Sequence, residues 1–244
     1  MTHAILVPGF WLDGASWAEV AAALEAHGYE VEAMTLPGKE SRDADRSAVR
    51  LADHVAAVVA RIDAAPEPVV LVGHSGGGSI VSGAADARPD RVSHAIYVDT
   101  GPHADGQVIN DELPIEQHDL PFPGWEVLEE HELADMTPEV RERFEEMVVP
   151  EPAAVARDPL HVEHEERFAV PTTVIACSMP SVVLEQLMGD DHPFTRELAR
   201  MHDHRIVDLP TGHWPQLTKP AELAEQIVGI VEGRGGAGEV VVGT

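Results

Sequence analysis

The stretch Val69-Val70-Leu71-Val72-Gly73-His74-Ser75-Gly76-Gly77-Gly78-Ser79-Ile80-Val81 decides how the chain folds. Its first four residues are apolar with no polar alternation, the pattern of a strand covered on both faces, as in a parallel sheet. The glycines that follow let the backbone reverse within a few residues, and a helical pattern opens directly after them. Strand, glycine-bracketed serine and helix together make the G-x-S-x-G nucleophile elbow in the context it requires. So tight a bend has no room for side chains at Gly73 or Gly77, and it holds Ser75 strained with its hydroxyl projecting outward. Ser75 is the candidate nucleophile. The structural alternative is a glycine-rich turn whose serine caps the next helix.

Outward from this stretch, strands and helices alternate. Residues 3–7 read as a short buried strand ended by Pro8-Gly9, and Ser16 with Glu19 has the form of a capping box opening a helix that Gly28 stops. A second strand at 31–35 and a helix carrying Leu51, Val55, Val58, Val59 and Ile62 on one face precede Val69. After the elbow helix come strands at 93–98, 172–177 and 205–209, a helical stretch near 193–201 and a last helix at 220–231. This order predicts a single α/β domain with a six-stranded parallel sheet and helices on both faces. Ligands bind such sheets beyond the carboxyl ends of the strands, where the winding reverses. Residues 101–168 lose the rhythm, being proline-punctuated and acidic with helices expected at 126–133 and 137–149; leaving the same sheet edge, they read as a lid. The glycine-rich tail from about 233 to 244 reads as flexible.

Composition narrows the function classes. Sixteen basic against 43 acidic residues give a net charge of −27, which repels polyanions and excludes nucleic acid as a partner. Nineteen of the acids lie between residues 101 and 170, a charge that reads as a solvated face. No apolar run reaches the length of a membrane span, and with a single cysteine, Cys177, no intrachain disulfide forms; a cytoplasmic location is the expectation. Oligomeric state is open. No cofactor is expected: no lysine follows the glycines as in a P-loop, and Pro8-Gly9-Phe10 lacks a G-x-G-x-x-G run. No metal is expected either, since His161-Val162-Glu163-His164 and His202-Asp203-His204 match no zinc spacing.

A serine hydroxyl needs a base within hydrogen-bond reach. His213, in the loop between the last strand and the last helix, is placed to supply it; His74, next to Ser75 on a tight turn, points elsewhere. The third member is a carboxylate that fixes the imidazole tautomer. Asp99, at the end of the strand after the elbow, is preferred, with Asp190 or Asp191 as alternatives. Backbone N–H groups suit the oxygen of an attacked carbonyl: Gly76 should supply one, and Phe10, otherwise Trp11, the other. Trp11, His74, Phe122 and Trp125 are the candidates for the substrate pocket.

On these residues the chain resembles the α/β-hydrolase superfamily. Leu6 to Phe10 is similar to its oxyanion loop, Gly73 to Gly77 to its elbow and Gly212-His213-Trp214-Pro215 to its histidine loop. Pro8 to Trp17 is similar to the opening of the small esterase and hydroxynitrile-lyase group, with Pro8 where a histidine is usual. Two departures stand out: the usual first two strands are missing, and no carboxylate follows the strand at 172–177. The resemblance implies hydrolysis of a carboxylic ester, thioester or lactone of a small molecule through Ser75, His213 and Asp99. The superfamily also holds lyases, which use a lysine near the histidine loop, for which Lys219 is the nearest candidate, and non-catalytic small-ligand binding proteins.

Overall fold

The computed structural model describes residues 1–233. Six parallel strands form the main sheet: β1 (His3–Val7), β2 (Glu30–Ala33), β3 (Val69–His74), β4 (Val92–Val98), β7 (Thr172–Ala176) and β8 (His204–Asp208), in the order β2-β1-β3-β4-β7-β8. A two-residue antiparallel pair, β5 (Asp119–Leu120) with β6 (Glu151–Pro152), lies outside it. The helices are α1 (Ala18–Ala26), α2 (Leu51–Ala64), α3 (Gly77–Ala87), α4 (Pro138–Met147), α5 (Ala153–Arg157), α6 (Ser181–Gly189), α7 (Arg196–Arg200), α8 (Pro215–Thr218) and α9 (Pro220–Val231).

Alternate residues of each strand feed opposite faces, as a pleated strand requires. Ile5, Val7, Leu71 and Tyr97 pack with Val58, Ile62, Ile80 and Val81 of α2 and α3. Leu6, Val70, Val72 and Ile96 pack on the other side with Val20 and Leu24 of α1 and Leu223 and Ile227 of α9. Both faces are dry, which is why β3 reads as a continuous apolar run. The chain winds one way from β1 to β2 and the other way from β1 to β3, so the winding reverses between β1 and β3. The loops after those strands, Pro8 to Phe10 and the elbow, therefore share one crevice.

Gly77 shows how closely they meet. A Cβ there would stand 2.7 Å from the Pro8 carbonyl oxygen and 2.8 Å from that of Val7. Gly77→Ala is expected to lower stability by about 1–3 kcal/mol through forced backbone shifts, read as a lower urea midpoint at unchanged m-value.

Several expectations need correction. Ser16 is not a helix cap: Asp13 caps a 3-10 turn at Gly14–Trp17, and the Ser16 hydroxyl donates to the Asp13 carbonyl. The helix expected at 126–133 is instead two 3-10 turns, Trp125–Val127 and Glu130–Leu133, separated by Leu128 and Glu129 in extended backbone. The helix expected near 193–201 is the shorter α7, and α6, whose apolar residues show little facial bias, was not expected. The tail lies outside the described residues apart from Gly233. Among the described residues no helix is long and apolar enough to cross a membrane.

The acidic segment between β4 and β7 is held by cations from the loop before α2. Arg42 donates to the carbonyls of Glu145, Glu146 and Val148 at the end of α4, where the helix leaves carbonyls unpaired. Arg46 donates to the Pro150 carbonyl, and Arg50 grips Asp158 with two bonds of 2.8 and 2.7 Å. Deepest is Lys39, fully buried and paired with the equally buried Glu151 of β6. Burial pushes the Lys39 ammonium pKa down, and the Glu151 carboxylate works against that fall. Removing one partner strands a buried charge, so Lys39→Met is expected to cost about 3–5 kcal/mol, whereas Lys39→Met/Glu151→Leu regains most of the loss. Thermal unfolding of the two variants side by side checks this.

Candidate active site

Three residues far apart in sequence meet at the carboxyl edge of the sheet. Ser75 leaves β3 with φ +50°, a conformation that L-residues avoid. It is held there by its N–H donating to the Val98 carbonyl and its own carbonyl accepting from the Gly78 N–H. Such strain persists only where the surroundings enforce it. The Ser75 Oγ stands 2.8 Å from His213 Nε2, and His213 Nδ1 stands 2.6 Å from Asp99 Oδ2. Asp99, at the end of β4, also has φ +50°, which turns its carboxylate toward the histidine loop.

The Asp99 carboxylate accepts more than the histidine. Its Oδ1 receives the N–H groups of Cys177 and Ser178, at 3.0 and 2.8 Å, and its Oδ2 also receives the Ser178 hydroxyl at 2.6 Å. Burial alone would raise this carboxyl; the bond and charge of His213 and the two donors of Ser178 outweigh it and hold the pKa at about 2. The ionised carboxylate fixes the proton of neutral His213 on Nδ1 and leaves the Nε2 lone pair for the serine proton. The end of β7, which has no carboxylate, supplies donors to Asp99 instead. That role was not legible in sequence; its signal is a serine directly past a strand end. Asp190 caps the end of α6 and Asp191 pairs with Arg196, so neither alternative reaches His213.

The histidine loop is gripped from two sides. His74, fully buried, donates from Nε2 to the His213 carbonyl at 2.6 Å, while its Nδ1 accepts from Gln216 at 3.2 Å. Burial and the neighbouring His213 drive the His74 pKa down to about 3, so it stays neutral and keeps that donor. From the lid, the Glu132 and Ala134 carbonyls accept the N–H groups of His213 and Gly212 at 2.8 and 3.0 Å. His74 therefore braces the loop and does not line the pocket, a correction to its assignment.

A cavity of about 450 Å³ opens over Ser75 and His213, walled by Phe10, Trp11, Ile109, Leu113, Leu128 and Trp214, with Glu112 and Glu132 among its polar groups. Trp11 is where it was expected. Phe122 and Trp125 are not on this wall. They stack on Phe144 with ring centroids 5.0 Å apart in both cases, and Trp125 meets Trp214 at 6.0 Å. This aromatic cluster lies behind the wall and fastens the lid to the histidine loop.

Gly9 brings the loop after β1 against the elbow: a Cβ on it would lie 2.9 Å from the Ser75 Cβ. A Cβ on Gly76 would lie 2.8 Å from two atoms of the Phe10 ring, so Phe10 and Gly76 are neighbours. Among the described residues neither of their N–H groups donates to a protein acceptor. Such an arrangement has a hydroxyl with a base in reach, an ionised carboxylate behind the base, and backbone donors beside the hydroxyl. Among the described residues no cluster of His, Cys, Asp and Glu is fit to hold a metal.

Comparison with known proteins agrees with this fold. The sequence profile of the alpha/beta hydrolase family matches residues 4–226. A carbendazim hydrolyzing esterase of Nocardioides sp. strain SG-4G is 26% identical over 94% of this chain and 100% of its own length. A pyrethroid hydrolase of Sphingobium wenxiniae is 37% identical over 40% of this chain and 35% of its own. Among solved structures, an extracellular alpha/beta-hydrolase from a Paenibacillus species superposes with a TM-score of 0.74 at 20% identity, covering 93% of this chain and 98% of that one.

Proposed function

The chain belongs to the alpha/beta hydrolase family, and on that premise we propose that it hydrolyses a carboxylic ester of a small molecule, a thioester and a lactone being the related substrates. The observation that carries this reading is the relay from Ser75 Oγ through His213 to Asp99, with bonds of 2.8 and 2.6 Å, at the floor of a cavity of about 450 Å³. A cavity of that volume suits a small molecule. The names of the esterase and hydrolase relatives point the same way.

In this mechanism His213 Nε2 takes the Ser75 proton as Oγ attacks the ester carbonyl carbon. The carbonyl oxygen becomes an oxyanion that accepts from the Gly76 and Phe10 N–H groups, donors that need no reorganisation as the charge forms. Collapse breaks the bond to the alcohol oxygen, which takes the proton from His213, and an acyl-enzyme remains. Water then gives a proton to His213 and adds to the acyl carbon, and the acid is released as Ser75 Oγ takes that proton back from His213. Asp99 stays ionised throughout and stabilises the imidazolium. Each catalytic group comes from the end of a different strand of the sheet, Ser75 after β3, Asp99 after β4 and His213 after β8.

A lyase would use the same relay without an acyl-enzyme. The lysine such a reading calls on, Lys219, donates instead to the Pro210 carbonyl at 2.6 Å and lies 3.6 Å from Asp135. It is not among the residues of the cavity wall. Stopped-flow mixing with a nitrophenyl acetate separates the readings. The hydrolase gives a burst of nitrophenol equal to the enzyme concentration before the steady state, or a steady rate with trapped acyl-serine on acid quench. Neither signal, with substrate consumed, contradicts it.

A further inference from the structure

Lys39 is one of two lysines in the chain, and it is buried to 1% exposure in a protein whose other cations mostly reach the surface. Its Nζ pairs with Glu151, and it also donates to the Gly9 carbonyl oxygen at 3.3 Å. That carbonyl belongs to the same peptide unit as the Phe10 N–H. Among the described residues no peptide bond is cis, and in a trans peptide the C=O and N–H point in opposite directions. A donor on the Gly9 oxygen therefore turns the Phe10 N–H away from Lys39. Gly9 lies against Ser75, and the Phe10 ring lies against Gly76. A hydrogen bond from an ionised donor is stronger than a neutral one and polarises the amide it meets, leaving the N–H at the far end of the same unit a better donor.

We propose that Lys39 is a positioning residue that fixes and polarises the Gly9–Phe10 peptide, so that the Phe10 N–H is aimed at the oxygen of the attacked carbonyl. This rests on the ester-hydrolase reading, in which Phe10 supplies one of the two oxyanion donors. Glu151 has the complementary part: it is the counter-charge that keeps an ammonium in a dry site. Because Glu151 sits on β6, in the segment that carries the lid, seating of that segment and readiness of the oxyanion donor are tied together through one buried pair.

The test uses Lys39→Met/Glu151→Leu, which leaves no stranded charge, with every rate expressed per active site titrated by a burst or by a fluorophosphonate. The expected result is a ten- to hundredfold fall in kcat for a nitrophenyl ester with KM within twofold of wild type. An aryl trifluoromethyl ketone, whose hemiketal oxygen needs the same donors, should lose affinity by the same factor. A purely structural role moves the titrated fraction and the melting temperature but neither of these ratios. If kcat per titrated site stays within twofold, or falls while the ketone binds as before, the inference about Lys39 is overturned and the hydrolase reading survives. If the wild-type protein gives no acyl-serine and takes no fluorophosphonate on Ser75, the hydrolase reading fails and the inference falls with it.

Discussion

Ser75→Ala is expected to lower kcat for a short-chain aryl ester by about 10⁶-fold, with the dissociation constant of a non-hydrolysable analogue changed by less than threefold. In the proposed mechanism the hydroxyl is the one group that forms a bond to substrate, so its loss removes the covalent route and leaves only the binding and backbone donors around the carbonyl. Folding should be nearly untouched. Alanine meets the same strain as serine at φ +50°, and the structure gives Ser75 Oγ no hydrogen bond other than that to His213 among the described residues. Product analysis at high enzyme concentration measures the residue of activity, and a variant within tenfold of wild type would show that another group attacks the ester.

Asp99→Asn is expected to lower kcat by about 10⁴-fold, and the reason lies in how the carboxylate is shared. Oδ1 accepts two backbone N–H groups, from Cys177 and Ser178. An asparagine has one oxygen and one NH₂ to place. The oxygen must face those two fixed donors, so the NH₂ faces His213 Nδ1 and donates to it. The proton of the neutral imidazole then moves to Nε2, where it blocks uptake of the serine proton. The variant should also be less stable at neutral pH. A carboxyl whose pKa is lowered by folding contributes stability that is whole above its unfolded pKa of about 3.9 and is lost as pH falls through the folded value. With the folded Asp99 held at about 2, the stability gap between wild type and Asp99→Asn should be full above about pH 4 and close as the pH falls toward 2. Urea midpoints across that range measure the gap; a gap independent of pH would mean that the ionised form gains nothing from its donors.

The candidate catalytic residues differ in how far the sequence reveals them. Ser75 and His213 sit in local patterns, strand-turn-helix and strand-loop-helix, that are written within about a dozen residues. Asp99 was preferred over Asp190 and Asp191 by its place at a strand end, and sheet order explains why that place works: β4 lies between β3 and β7. What was not legible depends on chain returning from a distance. Ser178 faces Asp99 only because β4 and β7 pair. That His74 diverges from Ser75 follows from their adjacency on a tight turn, but its partner does not: it points at the backbone of the histidine loop and not into the pocket. Phe122 and Trp125 looked like wall aromatics, and they were drawn instead into a cluster with Phe144 and Trp214 that a list of apolar residues does not disclose. Lys39 carried no signal beyond its rarity, since a lysine in a loop is ordinarily solvated; only the return of Glu151 through the lid makes its burial tolerable.

The central claim is that the Ser75 hydroxyl is a nucleophile made reactive by His213. Intact-mass analysis after a fluorophosphonate probe tests it most directly. One adduct per chain is expected, mapped to Ser75 by peptide sequencing, absent from Ser75→Ala and slowed by at least a thousandfold in His213→Ala. An unmodified chain, an adduct on any other residue, or labelling of His213→Ala at the wild-type rate would contradict it.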